Sequence, residues 1–433
     1  MTERVDASEQ QTVRDASPDY SVETGTASVE DLPPGYKRTE VGVIPEDWDV
    51  SRIDQHVSIT TGGKNTQDKV EDGAYPFFVR SQSVERINSF SFEGEAVLTA
   101  GDGVGTGKIF HYVNGRFDVH QRVYRLSDFS GTLDGKYFFY QFSSRFYGRI
   151  MGMTAKSSVD SVRRETIAGM PIPVPTVIEQ RAIATALSDA DTLIESLDRL
   201  IAKKRAIKQS AMQQLLTGQT RLPGFEEKWS ELNLSEHAIL KARIGWQGLR
   251  TDEYLVSGDH YLVTGTDFEN ERIIWRGCYF VDQWRYSQDK NIQLTEGDVL
   301  LTKDGTIGKV GFVDSLPGPA TLNSGVYVVR PFGDSFDPKF MFYIFASSIF
   351  GEFLRKLQAG STISHLYQKD FVGFSFSVPR IEEQAAVATV LSDMDNEIEA
   401  LEHRRDKARQ IKQGMMQQLL TGRVRLMTPE AAA

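Results

Sequence analysis

The most regular pattern of hydrophobic and polar positions along the chain is helical, and it occurs twice. Residues 179–222 and 383–426 align without a gap at a constant offset of 204, and more than half of the aligned positions are identical. In both copies apolar residues recur at alternating spacings of three and four, which is typical of a coiled-coil seam. The seams consist of Ile183, Leu187, Ala190, Ile194, Leu197 and Ile201, and of Val387, Leu391, Met394, Ile398 and Leu401.

Local signals predict where both helices begin and end. Thr176 with Glu179 three residues later fits a capping box, whereas Arg380 makes the second start weaker. Gly218 and Gly422 stand where a helix ends in a left-handed residue. About 38 residues at ~1.5 Å each give a helix of roughly 57 Å.

The two helices most simply pack against each other, which would join the halves of the chain in a pseudo-twofold arrangement. The alternative keeps each helix on its own globular half. Past Ile201 and Leu401 both seams become basic and polar, so we expect the last turns to face a partner or solvent. The basic residues there are Lys203, Lys204, Arg205, Arg404, Arg405 and Lys407.

Shorter patterns predict β-strands in the rest of both halves. Short apolar runs separated by glycine turns fill residues 58–150 and the region before the second helix. Amphipathic helices are predicted at residues 137–150 and 339–357. Trp48 corresponds to Trp229 at an offset of only 181, so the second half carries extra length inside its globular part.

Composition restricts the class of protein. With 433 residues, 40% hydrophobic and 25% charged, the chain is long enough for two or three domains. It has no apolar run of bilayer length and no signal peptide, which predicts a cytoplasmic protein without a membrane partner. The single cysteine, Cys278, excludes an internal disulfide, and the seven histidines lack metal-ligand spacing. We therefore expect neither a metal nor a cofactor.

The net charge of −10 does not by itself favour a nucleic-acid partner. Much of the charge comes from residues 1–34, which hold eight acidic and two basic side chains and are predicted to be disordered. Local basic surfaces therefore remain possible in the other 399 residues.

A glycine-rich loop corresponds between the two halves. It reads AGDGVGTGK at residues 100–108 and TKDGTIGK at residues 302–309. A phosphate-binding P-loop is excluded, because position 102 is Asp and neither final lysine is followed by Ser or Thr. One alternative is a strand connection. The other places the backbone against a nucleic-acid phosphate beside the candidate DNA-binding residues Lys108, Lys303 and Lys309.

A second pair of loops lies at residues 155–167 and 359–371, again at an offset of 204. Both are hydroxyl-rich and then carry side chains that bind phosphates or base edges. The rival interpretation is a helix entry with solvated charges. The candidates are Lys156, Ser157, Ser158, Arg163 and Arg164 in the first half, and Ser361, Thr362, His365, Tyr367 and Lys369 in the second. Weaker candidates are Arg80, Arg122, Arg243, Trp246, Gln247 and Arg250.

Several motifs resemble one family. Each β-rich half ends in PVP or SVP, and each helix carries EQ-x-A, LSD-x-D and finally MQQLLTG-x-x-RL; the segment GYKRTEVGVIPEDW opens the first half. Over residues 35–426 this combination closely resembles the specificity subunit of type I restriction-modification systems.

The resemblance implies an α+β fold, with two β-rich target-recognition domains separated by two long antiparallel coiled-coil helices in a pseudo-twofold internal duplication. The predicted domains are 35–175 and 223–378, and the spacer helices are 176–222 and 379–426. Residues 1–34 and 427–433 are then tails.

The resemblance also implies the function. Such a subunit reads a bipartite, asymmetric site in double-stranded DNA and has no catalysis of its own. It recruits two modification subunits, which methylate adenine N6 with S-adenosylmethionine, and two restriction subunits, which hydrolyse ATP and cut. In agreement, the sequence contains no Asn/Asp-Pro-Pro-aromatic methyltransferase motif, no Walker A motif and no nuclease carboxylate–lysine cluster.

Two other classes of function compete with this interpretation. A coiled-coil scaffold with two protein-binding β-rich domains accounts for the helices and the charge, but not for the changed basic content of the matched loops. A separate DNA-binding regulator lacks a recognition-helix motif.

Overall fold

The structure, a computed structural model, describes residues 32–153, 161–358 and 365–426. The chain divides into two compact units: residues 1–195 with 406–433 form the first, and residues 196–405 form the second. Most of the predicted disordered segment, the predicted C-terminal tail and five candidate DNA contacts lie outside the described residues. Those five are Lys156, Ser157, Ser158, Ser361 and Thr362.

The first unit is built on one six-stranded sheet. Its strands are β1 (Tyr36–Thr39), β2 (Gly42–Pro45), β3 (Asp49–Arg52), β4 (Ser58–Thr61), β5 (Tyr75–Phe78), β6 (Glu85–Ile87), β7 (Phe92–Ala100), β8 (Phe110–Val119), β9 (Val123–Ser127) and, after the helices α1 (Gly135–Gly152) and α2 (Arg164–Ala168), β10 (Pro171–Val174). The sheet order is β4-β9-β7-β8-β5-β6, antiparallel except for β5 beside β8. Phe138, Phe142 and Phe146 recur every four residues along α1, which buries that face in the core of the sheet.

The second unit repeats this order of elements with shorter pieces. After α3 (Val177–Leu215) come β11 (Ser230–Asn233), α4 (Leu234–His237), β12 (Ala238–Lys241), β13 (His260–Val263), β14 (Phe268–Glu269), β15 (Arg272–Ile273), β16 (Tyr279–Val281), α5 (Gln283–Ser287), β17 (Val299–Thr302), β18 (Val310–Phe312), β19 (Ala320–Leu322), β20 (Val326–Pro331), α6 (Pro338–Phe345), α7 (Ser348–Gln358), α8 (Gln368–Phe371), β21 (Ser375–Val378) and α9 (Ile381–Leu419). The extra length of this half lies between β12 and β17.

The single sheet of the first unit becomes two sheets in the second. The strands β12-β20-β17-β18 form one sheet and β16-β13-β19 form another. The long strand β8 is replaced by the two short strands β18 and β19. Pro317 and Pro319 lie between those two strands, and proline cannot donate a ladder hydrogen bond.

The prediction of a single helix at residues 339–357 is wrong, because the structure has two helices there. The helix α6 ends at Phe345, and the hydroxyl of Ser347 accepts a hydrogen bond from the amide of Ile349 at 3.2 Å. This contact caps the start of α7. The counterpart predicted at residues 137–150 is confirmed as the continuous helix α1.

Both long helices are confirmed, and the fold class is α+β. Gly218 and Gly422 follow the helix ends with φ of +70° and +69°. The seam residues Ile183, Leu187, Val387 and Leu391 are buried. The predicted capping box is half correct: the amide of Glu179 donates to Thr176 Oγ1 at 3.3 Å, but the Glu179 carboxylate has other partners, described below.

The basic turns of the helices are largely exposed, as expected for Lys203, Arg205, Arg404 and Lys407. Some of their side chains also bind acidic residues of the other helix. In the second unit Lys208 Nζ lies 2.6 Å from Asp395, and Arg405 Nη1 lies 3.5 Å from Asp198. The partner's residue number falls as the helix residue number rises, so the helices run antiparallel. Lys204 pairs with Glu397 and Arg205 with Glu402 in the same way.

The same contact is built in both units from equivalent residues. In the first unit Asp191 accepts from Lys412 Nζ at 2.5 Å and from the Tyr140 hydroxyl at 2.7 Å. In the second, Asp395 is bound by Lys208 and accepts from the Tyr343 hydroxyl at 2.8 Å. These contacts explain the repeated LSD-x-D motif and the repeated lysine, which meet across the helix pair.

A buried carboxylate closes each unit at the end of the helix pair. In the first unit Trp48 Nε1 donates to Glu179 at 3.1 Å, and Arg425 donates to both oxygens of Glu179, at 2.5 and 2.8 Å. Arg425 also binds Asp47, at 2.8 and 2.9 Å. The side chain of Glu179 is only 1% exposed.

The second unit has the equivalent arrangement. Arg221 donates to both oxygens of Glu383, at 2.6 and 2.5 Å, and its guanidinium lies 5.6 Å from the Trp229 ring. The Trp229 Nε1 atom is buried and has no hydrogen-bond partner within the described chain. We call these two groups, Asp47-Trp48-Glu179-Arg425 and Trp229-Glu383-Arg221, the helix-end clusters.

The glutamine beside each buried glutamate joins the helix to the globular part. Gln180 Oε1 accepts from the amide of Asp134 at 2.8 Å, and Gln384 Oε1 accepts from the amide of Asp337 at 3.0 Å. Asp134 and Asp337 cap the helices α1 and α6. The repeated EQ motif therefore fixes the core helix of each unit to the start of a long helix.

None of the helices in the described part of the chain is long and apolar enough to cross a membrane. Within the same ranges, no group of three or more His, Cys, Asp or Glu residues could hold a metal ion.

We predict that Arg425→Ala destabilises the first unit more than the second, because it leaves the buried Glu179 carboxylate without its partner. Breaking such a pair costs about 3 kcal/mol or more. Hydrogen exchange of residues 135–152 should rise more than that of residues 338–345, and Arg221→Ala should reverse the order. An equal rise in both segments for both variants would contradict the prediction.

We predict that Asp47 makes the first unit sensitive to acid. The hydrogen bond from Arg425 lowers the pKa of Asp47 below its ordinary value of 3.8. Its stabilisation is therefore complete above pH 3.8 and is lost as the pH falls through the lowered pKa. Urea unfolding of Asp47→Asn should show a shallower loss of stability below that pH than the unsubstituted protein. The exposed Asp72→Asn serves as the control and should keep the original slope.

Candidate nucleic-acid interface

The two predicted loops of the first half meet in the structure. Residues Asp102 and Ser161 form an antiparallel bridge, and the amide of Val162 donates to Gly101 O at 2.8 Å. The Tyr124 hydroxyl donates to Val162 O at 3.0 Å. The glycine-rich loop and the described end of the second loop are thus joined at the main chain.

The second unit joins its loops with the same three contacts. Asp304 and His365 form the bridge, and the amide of Leu366 donates to Lys303 O at 2.8 Å. The Tyr327 hydroxyl donates to Leu366 O at 3.1 Å, and burial raises the pKa of Tyr327 to about 12. We call each of these three-contact arrangements a loop junction.

The last glycine of each glycine-rich loop is favoured by its backbone conformation and packs closely against a helix side chain. Gly107 and Gly308 have φ of +71° and +89°. A Cβ atom would lie 2.3 Å from Ile150 Cδ1 in the first unit and 2.6 Å from Leu354 Cδ1 in the second. A strand follows each loop, in agreement with the exclusion of a P-loop.

The described candidates of the first half lie on either side of its loop junction. Lys108 is exposed, with Nζ 5.5 Å from the Tyr147 ring. Arg163 and Arg164 are exposed at the start of α2, directly after Val162. Arg164 Nε donates to Ile59 O at 3.2 Å, so its side chain is also held against the first strand of the sheet.

Among the candidates of the second half, the two lysines of the glycine-rich loop are half-buried, whereas Tyr367 is exposed. Lys303 is half-buried, its Nζ lies 5.0 Å from the Tyr327 ring, and burial lowers its pKa. Lys309 is half-buried, and its amide donates to Thr302 Oγ1 at 2.9 Å. Tyr367 is 56% exposed, and Lys369 Nζ lies 5.7 Å from its ring.

The aspartate of each loop junction contacts a different side chain in each unit. Asp102 accepts from Arg80 Nη1 at 2.8 Å and lies 3.5 Å from Arg122 Nε. Asp304 instead contacts the imidazole Nδ1 of His365. The His365 ring also lies 4.6 Å from that of Tyr367. Both units thus place a carboxylate at the same position of the loop junction, but the side chain that contacts it differs between the units.

Among the weaker candidates, Arg80 and Arg122 lie beside the first loop junction with exposed side chains, whereas Arg243 and Gln247 are buried. Arg243 is 2% exposed, and its Nε donates to Leu322 O at 2.8 Å. Gln247 is 5% exposed. The burial of the Trp246 side chain lies outside what the structure describes. The signal for Arg80 and Arg122 was the Asp-Gly pair common to both glycine-rich loops, which marks a position that holds neighbouring groups.

We predict that Tyr327→Phe loosens the second loop junction without unfolding the unit. The buried Leu366 carbonyl loses a hydrogen bond worth about 1 kcal/mol. Hydrogen exchange at the Leu366 amide should rise several-fold, while the Val162 amide of the first unit stays unchanged. Tyr124→Phe should give the opposite result, and no change in either amide would contradict the role of the tyrosines.

Comparison with known proteins agrees with these features. The model of the family described as "Type I restriction modification DNA specificity domain" matches residues 45–203 and 249–410. The MjaVIII type I restriction enzyme specificity subunit of Methanocaldococcus jannaschii is 24% identical over 410 residues, covering 88% of this chain and 94% of that protein. The EcoDI specificity subunit of Escherichia coli is 29% identical over 171 residues, covering 39% of this chain and 36% of that protein.

Solved structures share the fold. The type I restriction-modification S subunit from M. genitalium superposes with a TM-score of 0.64 at 16% identity, covering 90% of this chain and 99% of that chain. The comparisons give no support to the scaffold alternative and confirm the resemblance found in the sequence. The family model spans well over half of the residues, so the chain belongs to the type I restriction-modification DNA specificity family and is a noncatalytic subunit for sequence-specific DNA recognition.

Proposed function

We propose that the chain reads a bipartite, asymmetric site in double-stranded DNA, with each unit contacting one half-site. The observation that carries this proposal is the pair of loop junctions. Each unit forms the same three contacts at its loop junction but carries different side chains beside them. A shared frame with changed side chains is what two readers of different sequences require.

The first half-site is proposed to contact a surface rich in arginine. Arginine binds guanine edges in the major groove with two hydrogen bonds, and it also binds phosphates. The proposed contacts around the first loop junction are Lys108, Arg163 and Arg164, together with Lys156, Ser157 and Ser158 in the undescribed part of the loop.

The second half-site is proposed to contact a surface with histidine and tyrosine in place of arginine. His365, Tyr367 and Lys369 follow one another closely along the chain. The tilted His365 ring lies 4.6 Å from the Tyr367 ring, and Lys369 Nζ lies 5.7 Å from it. Lys303, Lys309, Ser361 and Thr362 complete the proposed set. Because the two surfaces differ in chemistry, the two half-sites are expected to differ in sequence, which makes the whole site asymmetric.

Two modification subunits and restriction subunits are the proposed protein partners. The chain carries a net charge of −10, so it is poorly suited to supplying the phosphate neutralisation that dominates DNA affinity. Modification subunits that contribute basic surface would supply this affinity, while this chain selects the sequence. Methyl transfer to adenine N6 and DNA cleavage are assigned to the partners.

Methylation mapping tests the proposal. The full chain is co-expressed with its cognate modification subunit in a host without adenine methylation, and N6-methyladenine is mapped across the genome. A split, asymmetric motif that disappears when the chain is omitted would support the proposal. A stable complex that methylates a single continuous motif would refute the assignment of one half-site to each unit.

We predict that Arg163→Ala relaxes the specified bases of one half-site only. An arginine bonded to a base edge contributes about 1–3 kcal/mol of discrimination against the wrong base. Lys369→Ala is the matched substitution in the second unit and should affect only the other half-site. Both effects are read from the same methylation maps, and equal relaxation of both half-sites by either variant would show that the units do not read independently.

A further inference from the structure

The tip of the first glycine-rich loop presents an apolar side chain to solvent. Val104 is 97% exposed and stands between Gly103 and Gly105. A single exposed valine is ordinary on a protein surface and needs no explanation by itself. Three further features distinguish this one: the rigidity of its turn, the charges beside it and its place at the loop junction.

The turn that carries Val104 is held by a dense set of hydrogen bonds. Gly103 has a φ of +81°, and its carbonyl accepts from Thr106 Oγ1 at 2.7 Å and from the Thr106 amide at 3.0 Å. The Lys108 amide donates to Gly105 O at 3.0 Å. Thr106 itself is 3% exposed. The turn therefore fixes Val104 in an outward position, so binding costs little ordering entropy.

Two arginines from other parts of the sheet lie beside this turn. Arg80 follows β5 and Arg122 precedes β9, and both approach the Asp102 carboxylate. Their side chains remain 44% and 63% exposed. A guanidinium has five N–H donors, so each arginine keeps donors for a second partner after binding Asp102. Asp102 thus acts as a positioning residue for two cations.

The backbone contacts also tie the arginines to the turn. The Gly101 amide donates to Arg122 O at 2.8 Å, and the Arg122 amide donates to His120 Nδ1 at 3.0 Å. A Cβ atom on Gly105 would lie 3.0 Å from Arg80 O, so the main chain at Arg80 packs closely against this turn. The valine and the two guanidinium groups form one ordered surface.

We propose that Val104 reads a thymine methyl group in the first half-site, while Arg80 and Arg122 hold the neighbouring phosphates. The thymine methyl is the one apolar group that base edges offer in the major groove, and small apolar side chains contact it. Arginines on both sides of an apolar contact supply the attraction that an isolated valine lacks. This inference rests on the proposed function.

The second unit shows how specific the feature is. Its loop has one residue fewer at the tip, where Asp304 and Gly305 are followed by Thr306. The Thr306 carbonyl accepts from Thr302 Oγ1 at 2.6 Å. A thymine contact of this kind is therefore assigned to the first half-site alone.

A cycle that combines one substitution in the protein with one in the DNA tests the proposed contact between Val104 and a thymine methyl group. The complex of the full chain with its cognate modification subunit is titrated with duplexes carrying the mapped motif. Each thymine of the first half-site is replaced in turn by deoxyuridine, which removes only the methyl group. At one position the unsubstituted complex should lose roughly fourfold in affinity, which corresponds to one buried methyl group. The Val104→Ala complex should show no further loss at that position.

Val256→Ala provides the matched control. Val256 is 88% exposed and lies in the second unit. Its complex should keep the fourfold difference between thymine and deoxyuridine in the first half-site. If Val104→Ala also keeps that difference at every thymine, the inference is overturned while the proposed function stands. If the unsubstituted complex shows no preference for its mapped motif, both are overturned.

Salt dependence tests the arginines independently. Arg80→Gln and Arg122→Gln should each lower the slope of log affinity against log salt by about one, without changing the difference between thymine and deoxyuridine. Arg116→Gln is the control, because Arg116 is exposed at the far end of the β7–β8 pair and binds Glu93. An unchanged slope for both Arg80→Gln and Arg122→Gln would refute their role at phosphates.

Discussion

The structure depends on two buried carboxylates at the ends of the helix pair. Glu179 and Glu383 are almost fully shielded from water, and an unpaired carboxylate there would be too costly to keep charged. Each is neutralised by an arginine distant in sequence, 246 residues away for Glu179 and 162 for Glu383. Such pairs add little net stability, but they tolerate only one partner. They join the start of one long helix to the segment that follows the other, within each unit.

The loop junctions of the two units share their main-chain contacts, whereas the side chains beside those contacts differ. Main-chain hydrogen bonds and one tyrosine hydroxyl form the frame, and these groups do not depend on which bases are read. The side chains beyond the frame, such as Arg163 or Tyr367, contribute nothing to it. If these side chains read DNA as proposed, a change of recognised sequence requires no change of fold. Asp102 and Asp304 likewise occupy the same position in the two units, while the side chains that they contact differ.

The sequence was informative wherever one local pattern determines the outcome. Helix periodicity, the glycines after the helices and the matched loops all follow from nearest neighbours in the chain. Pairing between distant segments could not be predicted in the same way. Nothing near Lys208 indicates that Asp395 binds it, and Arg80 and Arg122 reach Asp102 from separate strands. The ion pairs of the basic turns and of Arg80 and Arg122 were not predicted for this reason, and the proposed DNA contacts are still predictions.

The division of the chain has a consequence for biosynthesis. The second unit is one uninterrupted stretch, whereas the first needs residues 406–426, which are synthesised after the whole of the second unit. At about 5–20 residues per second, the roughly 200 intervening residues take on the order of 10–40 s to synthesise. The first unit thus emerges from the ribosome before the second but is completed after it. Until then Glu179 lacks its partner Arg425. A premature stop codon just after Arg405 would leave the second unit with all of its residues and the first unit without residues 406–426.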